Sequence, residues 1–440
     1  MDMNWDPRAL AVLERLERAG HRAVLVGGCV RDSLLSIPLH DYDAATSARP
    51  SEILAACADL RCVETGIKHG TVTVISDGLS VEVTTFRRET TYSDHRHPDG
   101  VEFTDDLAED LSRRDFTINA MAWEPGGLVD LHGGQEDLEQ KIVRCVGDSD
   151  RRFEEDALRL LRGLRLAAQL EFTIHPDTAA AIHRHADDLR HVAWERISAE
   201  FLRLICSPGA KQVLLDFPDV VCRILPELAP SVGFDQKNPH HCFDVYTHSV
   251  VALSHTPPIP ALRLAALLHD AGKPSVFSVD DDGVGHFYGH DKVSTRLTEQ
   301  ALTRLRLDRD TQERVTTLVQ RHHLPMEASR RWVGRWLSRL GTETFFHLMA
   351  LKRADVLACA PHPDEGDQLE QAEALARELL SAQPCLTLKD LAVNGHDAMA
   401  AGLRGPDIGR ALNALLSRVA EGDLPNDRDV LLPLLTSESP

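Results

Sequence analysis

The chain has 440 residues, more than one hydrophobic core usually serves, so roughly two to four domains are expected. Hydrophobic residues make up 43% and aromatics 5%, so the cores rest on Leu, Val, Ala and Ile, and no run approaches the roughly 18 apolar residues of a membrane span. A net charge of −20 excludes indiscriminate binding to nucleic acid, because phosphate contacts need Lys and Arg; any such site must gather its arginines locally. Residues 1–20 are charged throughout and do not look like a signal peptide. The nine cysteines contain no C-x-x-C pair, which points to thiols in a reducing cytoplasm, not a disulfide frame or a zinc finger.

Residues 1–150 mix strands and helices. Residues 23–26 form a short apolar run that ends in Gly27-Gly28 and reads as a strand. The β-branched runs 71–75 and 79–85 are separated by Asp77-Gly78, a good hairpin turn. Residues 86–98 are polar, lack hydrophobic periodicity and end in Pro98, so a mobile loop is expected. From residue 153 onward apolar residues recur at helical spacing, and 153–170 reads as one helix. Pro/Gly clusters at 207–209, 226–233 and 256–260 are candidate boundaries. The acidic loop 280–283 lacks a calcium-loop ligand pattern and reads as a solvated turn. Gly405-Pro406 marks a helix start in the tail, where the missing N–H of Pro costs nothing.

Three features of the first 170 residues carry chemistry. At Leu25-Val26-Gly27-Gly28-Cys29-Val30-Arg31-Asp32 a strand runs through two glycines into a helix. Gly28 lets the backbone approach a phosphate, the helix N-terminus offers free N–H groups, and Arg31 sits one turn on, in reach of a triphosphate. Nine residues past Asp32 lies Asp41-Tyr42-Asp43. Residues two apart on a strand share a face, and two carboxylates there call for a divalent cation; Mg²⁺ takes one or two carboxylates plus substrate phosphates. Glu82 is a third carboxylate for the same cluster or an outward-facing strand acid. Finally, residues 151–165 hold five arginines, including Arg159, Arg162 and Arg165 at three-residue spacing, against three acids. This is the local concentration that the charge demands.

These motifs resemble the DNA polymerase beta-like nucleotidyltransferases and, more closely, the bacterial class II CCA-adding enzymes. The resemblance rests on residues 25–32 with Asp41 and Asp43, on Arg113-Arg114-Asp115-Phe116-Thr117-Ile118-Asn119-Ala120, on residues 152–162, and on Glu195-Arg196-Ile197-Ser198-Ala199-Glu200-Phe201. It covers roughly residues 20–235. It implies an α+β chain with a small mixed-sheet nucleotidyltransferase head (1–145) and an all-α neck and body (146–235) carrying base selection and RNA binding. It also implies template-independent addition of C, C and A from CTP and ATP to tRNA 3′ ends, by transfer at two metals on Asp41 and Asp43. Arg114 would contact triphosphate or ribose, and Asp115 would accept a hydrogen bond from the ribose 2′-hydroxyl. Asp156 and Arg159, three apart on one helix face, would pair with the Watson–Crick edge of C or A, while U and G present the reversed donor and acceptor pattern. Arg162 and Arg165 would hold the triphosphate. In this family the loop at 86–98 is needed for adding the terminal A.

The second half carries His248, then His269-Asp270-Ala271-Gly272-Lys273, and later Asp355. An adjacent His and Asp at the end of the apolar run 262–268 need a partner or a metal. The set resembles the HD phosphohydrolase domain, whose ligands map to His248, His269, Asp270 and Asp355. This implies a metal domain at 236–365 holding a second divalent cation, a Lys273 that faces a substrate phosphate, and a phosphohydrolase activity on groups such as 2′,3′-cyclic phosphates. His290, His322 and His323 add imidazoles for phosphate or a further metal. A helical tail follows at 366–440. Two alternatives use the same head, an enzyme adding only A and a poly(A) polymerase; a third is an HD phosphohydrolase whose degenerate head only binds RNA.

Overall fold

The computed structural model describes residues 5–64, 66–67, 70–89, 101–237, 242–359, 363–382 and 385–437. The chain divides into two compact units, Met1–Ile224 and Leu225–Pro440. The first begins with α1 (Pro7–Arg18), capped by the Asp6 carboxylate, which accepts the Arg8 amide. There follow β1 (Ala23–Val26), α2 (Gly28–Leu34), β2 (Tyr42–Thr46), α3 (Pro50–Ala56), β3 (Arg61–Val63), β4 (Thr71–Ser76) and β5 (Leu79–Thr85). Then come β6 (Arg87–Glu89), β7 (Val101–Phe103), α4 (Leu107–Ser112), β8 (Met121–Glu124) and β9 (Gly127–Asp130).

Seven of these strands form one mixed sheet in the order β3-β4-β5-β2-β1-β8-β9, with β2 and β5 parallel. Val72, Val74, Val81 and Val83 bury one face of the β4–β5 hairpin, as the alternating pattern requires. Asp77 and Gly78 turn it with φ of 44° and 82°, the left-handed conformations of a tight hairpin. The stretch read as a mobile loop starts differently: Phe86 is fully buried, and Arg87–Glu89 pairs antiparallel with Val101–Phe103. The strand sits in the short polar run because the buried Phe86 ring anchors its start. Positions 90–98 lie outside the described residues.

The rest of the unit is largely helical: α5 (Gly134–Glu139), β10 (Ile142–Val143), α6 (Ser149–Glu155), α7 (Leu158–Leu170), β11 (Thr173–Ile174), α8 (Pro176–His185), α9 (Trp194–Ile205), α10 (Ala210–Asp216) and α11 (Pro218–Ile224). The single helix expected over 153–170 is two helices. Asp156 is extended (φ −147°, ψ 104°), and its Oδ1 accepts the Leu158 amide at 3.0 Å. A short carboxylate competes well for free amides at a helix start, and that preference overrides the apolar periodicity. Gly163 lets α7 approach the buried Phe116 ring; a Cβ there would lie 2.9 Å from Cζ.

The second unit contains α12 (Val245–Ser254), α13 (Pro260–Leu268), the short hairpin β12 (Ser278–Val279) and β13 (Gly285–His286), α14 (His290–Arg304), α15 (Arg309–Arg321), α16 (Arg330–Leu340) and α17 (Thr342–Ala358). It ends with α18 (Pro363–Ser381), α19 (Gly395–Ala400), α20 (Pro406–Ala420), α21 (Arg428–Leu431) and α22 (Leu434–Ser437). Every residue of α13 from Ala261 to Leu268 is buried, so the helix delivers His269 and Asp270 into the interior. The acidic turn is closed by its own side chain: Asp280 Oδ1 accepts the amides of Asp282 and Val284. The tail has its own core around Leu391, Val393, Leu412, Leu415 and Leu431.

Candidate active site and a second metal-ligating cluster

Asp43 lies on β2 directly beside Glu82 of β5 in parallel register, and Asp41 immediately precedes β2. Burial pushes the Asp43 carboxyl up; Glu82 and Asp41 push the same way, while Arg114 and Arg162 pull it back. Glu82 stands on the same face of the sheet as Asp43 and is exposed. Carboxylate oxygens are what a hard divalent cation takes, and such an ion offsets the burial and the neighbouring charges that raise Asp43. The residues present thus fit Mg²⁺.

Gly27 adopts φ of 74° at the strand–helix turn. A Cβ there would lie 3.2 Å from Nη1 of Arg114 and 3.6 Å from a carboxylate oxygen of Asp43, so glycine, arginine and carboxylate converge at one point. Arg114 is held by Nη2 on Asp110 Oδ2 at 3.2 Å, and its Nε is buried without a partner among the described residues. Gly28 follows as the first residue of α2. Arg31 is buried: Nη1 donates to Asn119 at 2.7 Å, and Nε and Nη2 face Asp32.

Asp115 is buried and grips Arg162, with Nη2 and Nε at 2.7 and 2.9 Å from Oδ2. Its Oδ1 accepts the amide of Phe116 and the side chain of Asn119. Burial alone would raise this carboxyl, but Arg162 and Arg159 overcome it and hold it well below the ordinary range. Arg165 donates from Nε to the buried Glu200 at 2.5 Å.

Asp156 and Arg159 do not share a helix face, because the helix breaks at Asp156. Asp156 Oδ2 accepts Arg196 Nη2 of α9 at 3.0 Å. Arg159 turns to Glu155 Oε2 (2.6 Å) and to the Arg113 carbonyl (3.3 Å). Of the anchoring residues, Glu155, Arg196 and Glu200 lie in the blocks that carry the resemblance but have no anchoring role in the sequence reading, and Asp110 lies outside those blocks. Asp110 stands four before Arg114 and Glu155 four before Arg159, a helical ion-pair spacing that could have found them. Arg196 stands 40 residues from Asp156 and has no such signal.

In the second unit, His248 Nε2 lies 2.9 Å from Asp355 Oδ1, 3.3 Å from His269 Nε2 and 3.5 Å from Asp270 Oδ2. These four expected ligands form one cluster. A second cluster, His290, His322 and His323, stands beside it. Asp270 serves both, with Oδ1 3.3 Å from His290 Nε2 and 3.7 Å from His322 Nε2. The rings of His269, His290 and His322 are oriented by Nδ1–H groups that donate to the carbonyls of Ala266, Phe287 and Val319 at 2.8, 2.8 and 2.6 Å. Such bonds fix the tautomer and leave Nε2 for a cation.

Burial lowers the basicity of His269, yet Asp270 and Asp355 overcome it and push the ring up to about 10; the two carboxylates demand positive charge at this point. Burial, with His322 and His290 adding, drops His323 to about 4, so this imidazole is neutral and has a lone pair to give. Both ligand sets fit a divalent cation. Lys273 departs from expectation. It is buried, with Nζ 2.7 Å from Asp270 and 2.9 Å from Gln236, and so neutralises a ligand instead of facing a substrate phosphate. A cavity of about 370 Å³, lined by His322, His323, Lys352, Asp355, Met326 and Gln368 among others, lies against the cluster.

The sequence matches the Poly A polymerase head domain over residues 23–144, the probable RNA and SrmB-binding site of polymerase A over 171–229, and the putative tRNA nucleotidyltransferase domain 2 over 291–435. The CCA-adding enzyme of Levilactobacillus brevis is 36% identical over 439 residues, spanning 97% of this chain and 97% of that protein. That of Lacticaseibacillus paracasei is 36% identical over 435 residues, 98% of this chain and 96% of that protein. The crystal structure of the Bacillus stearothermophilus CCA-adding enzyme in complex with CTP is similar with a TM-score of 0.76 and 28% identity, covering 98% of each chain. The chain belongs to the CCA-adding enzyme family.

Proposed function

We propose that this protein adds C, C and A from CTP and ATP to tRNA 3′ ends in the cytoplasm. The observation that carries the reading is the convergence of Gly27, Asp43 and Arg114 at one point, in a chain alike along its whole length to CCA-adding enzymes. Asp41 and Asp43, with Glu82 beside them, hold Mg²⁺, which supplies activation of the terminal hydroxyl and neutralisation of the departing pyrophosphate. The backbone at Gly28 and the cations Arg114, Arg162 and Arg165 bind the triphosphate and ribose. Arg31, turned inward, sets the phosphate loop against the strand end through Asn119. Asp115 takes the ribose 2′-hydroxyl, and Asp156 and Arg159 read the Watson–Crick edge. The division into head (1–145), neck and body (146–235), metal domain (236–365) and tail (366–440) gives each step its own segment.

Nucleotides supplied singly to tRNA transcripts lacking C-C-A, and to transcripts ending in C-C, test this. C incorporation on the first and A on the second is the expected result; A on the second with no C on the first would make it an A-adding enzyme.

The pocket beside the His/Asp cluster favours a second activity. His248, His269, Asp270 and Asp355 would hold one divalent cation, and His290, His322 and His323 would hold a second. Bound cations there supply Lewis-acid activation for hydrolysis of a phosphoester such as a 2′,3′-cyclic phosphate, and the cavity admits the ester beside Asp355 and His323. If the double variant His269→Ala, Asp270→Ala keeps all metal-dependent phosphodiesterase activity, this reading is wrong.

A further inference from the structure

Asp156 stands at the break between α6 and α7, so no helix holds its side chain in register with Arg159. Something else must aim it. Both of its oxygens are engaged: Oδ1 by the Leu158 amide at 3.0 Å and Oδ2 by Arg196 Nη2 at 3.0 Å. An ionised carboxylate oxygen has two acceptor sites, so each keeps one for an incoming amine, in a direction set by the anchor on the other. The Leu158 amide belongs to the backbone and fixes one oxygen only. The rotation of the carboxylate plane is set by Arg196.

Arg196 projects from α9 and is partly buried, its side chain 29% exposed. It lies one turn before Glu200 on the same face of α9. Glu200 is buried and takes Arg165 Nε of α7 at 2.5 Å, so this face of α9 is pinned to α7 next to the break. The Nη1 of Arg196 is buried with no partner among the described residues. An unmet buried donor costs stability, and a residue chosen for folding alone would not need one. The cost is intelligible if the guanidinium is held where the carboxylate needs it.

We propose that Arg196 is a positioning residue that sets nucleotide selectivity by fixing the carboxylate plane of Asp156. This rests on the reading that Asp156 meets the exocyclic amine of C and A. With Arg196 in place the amine finds an acceptor in line, while U and G bring a keto oxygen against a carboxylate oxygen and leave both unpaired. Without Arg196 the carboxylate swings, the amine loses its aligned acceptor and the mismatch with a keto oxygen is relieved.

The test measures kcat/KM for CTP against UTP on tRNA lacking C-C-A, and for ATP against GTP on tRNA ending in C-C. It uses Arg196→Ala, Arg196→Lys, Asp156→Ala and Arg184→Ala, with thermal melting of each. Arg184 is an exposed partner of Asp150 in α6, outside the site, and controls for loosening of the helices. Arg196→Ala is expected to cut both ratios by about tenfold or more, with part of the loss restored in Arg196→Lys, and Arg184→Ala to leave both ratios intact. A uniform loss across all four nucleotides in Arg196→Ala, with relaxed ratios in Asp156→Ala, overturns the role of Arg196 and leaves base reading by Asp156 standing. Unchanged ratios in Asp156→Ala overturn that reading and this proposal together. If Arg196→Ala does not fold, the ratios of Arg196→Lys decide alone, unchanged ratios counting against the proposal.

Discussion

The two candidate sites solve opposite electrostatic problems. In the first unit, arginines and carboxylates from different elements are cross-paired: Arg114 with Asp110, Arg162 with Asp115, Arg159 with Glu155, Arg165 with Glu200 and Arg196 with Asp156. Beside them Asp43 and Glu82 stand in register on neighbouring strands, and burial with the charges of Glu82 and Asp41 raises the Asp43 carboxyl. Such a site is completed by what it binds. In the second unit His269 at 0% and Asp270 at 2% exposure are sealed, Asp355 and His323 open to the cavity, and backbone carbonyls orient the His269, His290 and His322 rings. That site is organised before anything arrives. The difference teaches where each tolerates change: the first site depends on arginine–carboxylate pairs, the second on ring orientations set by carbonyls three residues away and on the meeting of His248 with Asp355.

The sharpest way to separate the sites is Asp43→Ala. Nucleotide incorporation is expected to fall by roughly a thousandfold or more, while tRNA affinity in a binding assay stays close to that of the parent protein. Retained incorporation would sink the metal assignment. The reciprocal variant, His269→Ala with Asp270→Ala, is expected to remove bound manganese or nickel from the second unit, read by metal analysis after dialysis, while incorporation continues. Loss of both would mean that the sites are not separable. A smaller effect is expected from Gly163→Val, which drives a side chain into the Phe116 ring. About 1–3 kcal/mol of overpacking should lower the melting temperature and loosen Arg162 from Asp115. An unchanged melt would show that α7 has room to move.

The smallest effect concerns the tail. Arg335, with Ser417 and Arg331 adding against a smaller opposing effect of burial, lowers the Glu421 carboxyl from 4.5 to about 2. Between those values the unfolded chain binds a proton that the folded chain does not, so stability falls as pH drops from 4.5 to about 2 and is fully present above 4.5. Glu421→Gln should flatten acid denaturation over that window. A curve that keeps its full slope would place the acid sensitivity elsewhere.

Much of the molecule was legible in one dimension. The β4–β5 hairpin followed from β-branched alternation and Asp77-Gly78, α13 from its apolar run, and α20 from Pro406 after Gly405. Each signal lies within one turn or one strand period. Misreadings came where a local preference competed with periodicity. Asp156 broke a helix that the apolar spacing extended, and Phe86 started a strand in a polar stretch. Lys273 was misplaced because nothing in its neighbourhood reports that Asp270 and Gln236 lie within reach of its amine.

What the sequence determined by itself is the chemistry: the Asp-x-Asp carboxylates behind a Gly-Gly turn, the arginine-rich stretch, and the paired His269-Asp270. These are residue types at short spacings, which local geometry converts directly into a shared face. What only the tertiary structure decided is the pairing: Arg196 with Asp156 across 40 residues, His248 with Asp355 across 107, and the sharing of Asp270 between two imidazole clusters. Contacts of that range depend on how helices pack, and packing is set by the sum of many buried side chains, not by any one motif.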